Sequence, residues 1–221
     1  MTQGLHKRII LKMLSLIAGI ALSSSLAGAT APTDDVWVYA HAASQDEDPY
    51  LRVWGNADYS VGTPSAGSFD FSFSLMRFQT KAGNPIKKFT LTLYHVADPA
   101  WEVEDAKKAP PEVRFAPEGY REGSWKFSDA VKYVPAADDQ AILAKAVVGE
   151  RVEEKPIKFT FTITDPEKVR TMADAVNGKG LSLAITTRMN PEGMGEGRTY
   201  KFYSRNADED KKELWPRLAW E

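Results

Sequence analysis

The sequence predicts an all-β protein, a two-sheet antiparallel sandwich with one short helix. Hydrophobic alternation with a period of two recurs along most of the chain, and Gly, Pro, Asn and Asp interrupt it at short intervals. That is the pattern of antiparallel strands with one buried face. Only one stretch has strong helical spacing, and the loops are uneven in length. Such loops suit sheet-to-sheet crossings better than the uniform hairpins of a closed barrel.

The chain opens on a different kind of segment. Lys7 and Arg8 precede an apolar stretch from Ile9 to Ala21, and small residues from Ser23 to Ala29 close it. Basic, apolar and small residues in that order predict a cleavable signal peptide over residues 1–29. Ala27 and Ala29 flank Gly28, which places the expected cut before Thr30. The apolar run is shorter than the roughly 20 residues that span a hydrocarbon core, so no membrane insertion is expected after cleavage. Residues 30–221, roughly 190 in all, make one domain of comfortable size. The expected location is secreted, either extracellular or periplasmic.

The strands follow in order. Val36, Val38 and Ala40 alternate with Trp37, Tyr39 and His41, giving an apolar and a wetter face, and a short strand runs from Tyr50 to Gly55. Phe69, Phe71, Phe73 and Leu75 alternate with Asp70, Ser72 and Ser74. Ile86 to Val96 and Ile157 to Thr164 carry the clearest signal, with Phe89, Leu91 and Leu93, or Phe159, Phe161 and Ile163, inward and threonines outward. Further strands are expected at Glu112 to Ala116, Trp125 to Asp129, Leu181 to Arg188, Thr199 to Arg205 and Leu214 to Trp220. The helix begins with Asp165 as cap and Pro166 at its first position. It sets Val169, Met172, Ala173 and Val176 on one face and stops at Asn177 and Gly178. A weaker helical turn is expected over Asp138 to Val147.

Composition excludes several functions. The chain has no cysteine, so disulfides do not brace it. Loss of Lys7, Arg8 and Lys12 with the signal leaves 25 basic residues of the 28 against 30 acidic ones, a net charge of −5. Nucleic acid and a polybasic membrane-surface role are poor matches for that balance. The mature chain keeps only His41 and His95 and has no Gly-x-Ser-x-Gly elbow, so neither a His-rich metal site nor a serine nucleophile is in view. Catalytic carboxylates drawn from separate strands leave no spacing signal. The non-catalytic reading therefore leads.

The order of parts resembles the DNRLRE-type domain, a family of carbohydrate-binding jelly-roll modules. Tyr50-Leu51-Arg52-Val53-Trp54-Gly55, Leu75-Met76-Arg77-Phe78 and Phe89-Thr90-Leu91-Thr92-Leu93-Tyr94 match its early strands. Ile163-Thr164-Asp165, the helix and Gly180-Leu181-Ser182-Leu183-Ala184-Ile185 follow in its order. Most specific is the ending, Phe202-Tyr203-Ser204-Arg205 followed by Pro216-Arg217-Leu218-Ala219-Trp220. The match spans nearly all of residues 30–221, with extra length between about Glu102 and Glu154. It departs at Asn206, where the family usually has an acidic residue. The resemblance implies an extracellular jelly-roll sandwich that binds acidic polysaccharide in some members.

Sugar rings stack on flat aromatic faces, which makes the tryptophans the first candidates for a ligand site. Trp37, with Tyr39, lies on the wetter phase of its strand, Trp54 ends a short strand, and Trp101 and Trp125 adjoin loops. A guanidinium can hold a uronate carboxylate through paired hydrogen bonds, so Arg52, Arg188 and Arg205 join the set, with Tyr203 from the terminal motif. For Arg205 a structural ion pair is an equal expectation. No cofactor is required; a structural calcium is expected, if anywhere, at Asp46 and Asp48. Asp138-Asp139 and Asp208-Glu209-Asp210 read as solvated turns.

The sequence thus points to an exported, non-catalytic carbohydrate-binding module whose partner is an extracellular polysaccharide, acidic if the arginines converge. Its rival is a structural or adhesive envelope protein that uses the sandwich for protein contacts.

Overall fold

A computed structural model describes residues 28–39, 45–55, 71–83, 85–98, 101–188 and 199–221. The expected signal segment up to residue 27, the strand positions Ala40, His41, Phe69 and Asp70, and the glycine-rich loop 190–197 lie outside them. Twelve strands form the described part: β1 (Gly28–Thr30), β2 (Asp34–Val38), β3 (Tyr50–Val53), β4 (Phe73–Phe78), β5 (Phe89–His95), β6 (Glu112–Phe115), β7 (Ile142–Lys145), β8 (Val147–Val148), β9 (Ile157–Ile163), β10 (Leu181–Thr186), β11 (Tyr200–Tyr203) and β12 (Arg217–Trp220). Two α-helices, α1 (Val103–Lys108) and α2 (Pro166–Asn177), and several short 3₁₀ segments complete it.

The strands make two antiparallel sheets packed face to face, a β-sandwich. In the seven-stranded sheet β5 is central: β9 pairs along its whole length, and β12 and then β11 share its other edge. β8 lies outside β9, β1 outside β12 and β3 outside β11. The five-stranded sheet runs β2-β4-β10-β6-β7.

Alternation explains the core. Phe89, Leu91 and Leu93 on β5 and Phe159, Phe161 and Ile163 on β9 are buried between the sheets as expected, facing Met76, Phe78, Leu183 and Ile185. Burying each such side chain contributes about 1.5–3 kcal/mol. α2 lays Val169, Met172, Ala173 and Val176 on this core, and Asp165 caps it by accepting the N–H groups of Glu167 and Lys168.

The five-stranded sheet has a second cover. Val36, Val38, Phe73, Leu75 and Ala184 point away from the inter-sheet core and pack under Tyr120, Trp125, Ala130 and Tyr133. Three expectations change here. Trp125 to Asp129 is not a strand but part of this largely 3₁₀ cover, whose apolar side chains seal a sheet face instead of pairing with it. Residues 138–147 form a 3₁₀ turn and β7, because the edge of β6 offers hydrogen-bond partners that an isolated helical turn would forgo. A second helix, α1, joins α2, its Ala106 buried beside Trp101 in the core cluster.

β1 pairs Gly28, Ala29 and Thr30 with Trp220, Ala219 and Leu218. The cut expected before Thr30 therefore falls inside a paired strand. Among the described residues no helix is long and apolar enough to cross a membrane.

Candidate functional site

β2 and β3 are the outer strands of their respective sheets, and the sandwich is laced shut where they meet. Trp54, just past β3, exchanges backbone hydrogen bonds with Ser72, just before β4, at 3.2 and 2.8 Å. The hydroxyls of Ser72 and Ser74 both donate to the Arg52 carbonyl, at 2.8 and 3.1 Å. Gly55 follows, and a Cβ there would collide with the Thr187 carbonyl oxygen, so only glycine lets the chain pass this close.

A cleft of about 370 Å³ opens at this corner, lined by Trp37, Tyr39, Asp48, Arg52, Trp54, Asp98, Thr199 and Lys201. Three aromatic rings give it shape. Trp37 and Tyr39, two residues apart on one strand face, lie near parallel with centroids 6.5 Å apart and planes 15° apart. Trp54 meets Tyr39 edge-on at 4.7 Å and Trp37 at 5.9 Å.

Polar groups fix these rings. The Gln45 side-chain amide accepts from the Tyr39 N–H at 2.9 Å and donates to the Tyr39 carbonyl at 2.8 Å, standing in for a neighbouring strand. Asp48 accepts the Tyr50 N–H at 2.9 Å through one oxygen and Arg52 Nε at 3.0 Å through the other. So held, the Arg52 guanidinium sits 5.5 Å from the Trp37 ring centroid in a cation–π contact. Lys201 is the cross-strand neighbour of Arg52 and places its ammonium 4.5 Å from the Tyr50 ring centroid.

Of the residues singled out in the sequence, Trp37, Arg52 and Trp54 come together in this cleft. Tyr203 stands further along the same sheet face, its ring 5.7 Å from Tyr50. The others go elsewhere, for visible reasons. Trp101 is 1% exposed in the inter-sheet core, 4.2 Å from the His95 ring, so it offers no face to a ligand. It acts at one remove: its backbone N–H donates to the Asp98 carbonyl, anchoring the turn that brings Asp98 to the cleft. Trp125 packs edge-on against Tyr120 at 5.7 Å in the outer cover. Arg188 pairs with Glu112 and Asp139.

Arg205 takes the structural role. Its guanidinium pairs with Glu122, and its backbone N–H donates to buried Asp35 at 2.8 Å. Burial pushes the Asp35 carboxyl up to about 7, with Glu122 adding repulsion and the Arg205 N–H pulling back. Asp46 lies in the hollow beside this cluster, whereas Asp48 lines the aromatic cleft with both oxygens engaged. The two carboxylates expected to share a calcium thus face different cavities, because the chain between them turns from one to the other. Among the described residues no group of three or more His, Asp or Glu side chains is arranged to hold a metal ion.

Three larger hollows among the described residues have no aromatic lining. One of about 510 Å³ beside α2 is lined by Pro85, Ile86, Pro166 and Val169 among others and contains no aromatic ring. Asp98, Thr199 and Lys201 were not singled out from sequence. Lys201 alternates with the core residues Tyr200 and Phe202, which gave its outward phase; only strand register puts it beside Arg52.

Fold and cleft together define a two-sheet β-sandwich with an aromatic corner cleft. No protein-family model matches the chain, and no curated protein matches it in sequence. The resemblance to DNRLRE-type domains rests on the residues quoted for it.

Proposed function

We propose that the protein is a non-catalytic, exported carbohydrate-binding module that holds a polysaccharide in the cleft of Trp37, Tyr39 and Trp54. The observation that carries this reading is the near-parallel pair Trp37 and Tyr39 with Trp54 set across them, an aromatic corner in which Tyr39 and Trp54 are half-buried and Trp37, 8% exposed, forms the buried floor. Such faces suit the C–H faces of pyranose rings, while a few fixed polar groups orient the hydroxyls. The Trp37 indole N–H is buried beneath this corner and has no hydrogen-bond partner among the described residues.

The test is binding of the purified protein to a panel of neutral and acidic polysaccharides, with and without a calcium chelator. Saturable binding weakened by Trp54→Ala by about 2 kcal/mol, roughly thirtyfold, is expected for an anchoring aromatic. A structural or adhesive role in the envelope is the second reading. It is favoured by Val147, 71% exposed on the outermost strand β8, and by Val152, 51% exposed. A folded sample that binds nothing in the panel would favour that second reading.

A further inference from the structure

Apart from the aromatic cleft, we infer that the protein has a second site, which binds a phosphate group in the hollow formed by Arg77, Arg121 and Lys179 at one end of the five-stranded sheet. The hollow measures about 430 Å³ and is also lined by Glu118, Gly180 and Ser182. Strand register sets its floor. Arg77 on β4 stands opposite Ser182 on β10 and Asp34 on β2, and it continues the strand face of Phe73 and Leu75 that packs under the outer cover. The turn between α2 and β10 brings Lys179, and the segment that leads from β6 into the cover brings Glu118 and Arg121.

Arg77 is 4% exposed, and its guanidinium is fixed from several sides. Nη1 donates to the Thr33 hydroxyl at 3.2 Å and lies 3.7 Å from the Asp34 carboxylate, while Nη2 donates to the Gln79 side-chain carbonyl at 2.7 Å and to the Lys179 backbone carbonyl. Gly180, at φ +107°, lies against the guanidinium where a Cβ would collide with Cζ and Nε. Nε donates to no acceptor among the described residues. Arg121 and Lys179 are exposed and form no ion pair among the described residues; Arg121 Nη1 donates to the Tyr120 carbonyl at 3.1 Å. The lining thus carries three cations against the one carboxylate of Glu118, and with Asp34 counted the excess is still positive, on a chain whose net charge is −2. Burial first and Arg121 second hold the Arg77 guanidinium below its ordinary pKa, while Asp34 pulls it up. An anion seated between the two arginines relieves their repulsion. Its donors come from a sheet floor, a loop and a turn, so they approach from different directions and not as one planar fork, which suits the several oxygens of a phosphate group. At about −1.5 to −2, a phosphate group also attracts these cations more strongly than a carboxylate does.

The experiment is calorimetric titration of the purified protein at neutral pH and about 0.05 M NaCl with inorganic phosphate, with glucose 6-phosphate and with acetate. The double variant Arg121→Ala, Lys179→Ala removes two exposed cations, Glu118→Gln removes the opposing carboxylate, and circular dichroism checks that each variant is folded. The expected result is a Kd of about 1 mM or tighter for phosphate or its ester, weakened about tenfold or more in the double variant. Glu118→Gln should tighten it by about twofold, Trp54→Ala should leave it unchanged, and acetate should bind about tenfold more weakly. Tighter binding of inorganic phosphate supports the site and assigns it to the free ion; equal or tighter binding of glucose 6-phosphate supports it and assigns it to a phosphate ester. A folded protein that binds neither, acetate binding as tight as phosphate, or binding that the double variant leaves unchanged would overturn the inference. None of these outcomes touches the aromatic cleft, whose own test is the polysaccharide panel.

Discussion

At the scale of single residues, the most consequential side chain outside the cleft is Arg114. It is fully buried, yet every nitrogen of its guanidinium has a partner. Nη2 donates to Glu112 at 2.6 Å, Nη1 to the Ala136 and Asp138 carbonyls at 2.8 and 2.7 Å, and Nε to the Thr186 hydroxyl at 3.2 Å. One side chain thus ties β6 to β10 and to the segment before β7. Arg114→Ala should destabilise the protein by about 3–5 kcal/mol, read as a fall in the urea midpoint, because it leaves two carbonyls without their donor and buried Glu112 with only Arg188 and Lys145 to balance its charge. Arg114→Met, which refills the volume, should recover part of that loss. An unchanged midpoint for the alanine variant would mean the network contributes nothing. Sequence alone did not mark this residue. The apolar period of Glu112 to Ala116 identified a strand but not the second cover that buries its polar face. Trp37 and Trp54 were legible for the complementary reason: a large ring on the polar phase of a strand, or at its end, is conspicuous however the strand is partnered.

At the scale of elements, legibility follows how many faces a strand buries. β5 and β9 bury one face, so their Phe-Thr-Leu-Thr rhythm read directly as inside and outside. β4 is buried at every position, because the 3₁₀ cover lies on its far side, and Ser74 is tolerated there by donating to a carbonyl. α2 was readable from its cap and its apolar spacing, since both signals are local. Register is not local, and it decided which arginines met the aromatics. β1 is where the small residues expected to precede a cut turn out to form a strand that closes a sheet edge. Gly28 lies against the Trp220 indole, where a Cβ would clash. Removal of Gly28 and Ala29 leaves only Thr30 paired with Leu218 and opens the edge of β12. A protein beginning at Gly28 should therefore be more stable than one beginning at Thr30 by about 1–3 kcal/mol, from one or two ladder hydrogen bonds of modest net value. That corresponds to a melting temperature higher by several degrees. Equal melting temperatures would mean that β1 adds nothing to the folded state. Mass spectrometry of the protein recovered from cells identifies its amino terminus.

At the scale of the whole molecule, two buried titrating groups contribute opposing slopes to the dependence of stability on pH. Burial holds the His95 imidazole down at about 4 from its usual 6.5, in the core beside Trp101. Burial lifts the Asp35 carboxyl to about 7 from its usual 3.8, beside Glu122, Arg205 and Asp34. Between pH 4 and 6.5 the unfolded chain binds more protons at His95, so stability rises with pH. Over 3.8 to 7 the folded chain binds more protons at Asp35, so stability falls with pH. Each slope is at most about 1.4 kcal/mol per pH unit for one proton, and across the shared window they offset. The contribution of these two groups to the wild-type profile should be nearly flat there. Asp35→Asn removes the falling component and leaves a rise between pH 4 and 6.5. His95→Gln removes the rising one and leaves a decline from about 3.8 to 7. Urea unfolding of the three proteins at half-unit pH steps reads these slopes directly. Slopes of opposite sign in the two variants are the expected outcome, because each group is isolated from water by a different part of the sandwich. Parallel profiles in all three proteins would mean that water reaches both sites and that neither group is held away from its ordinary protonation.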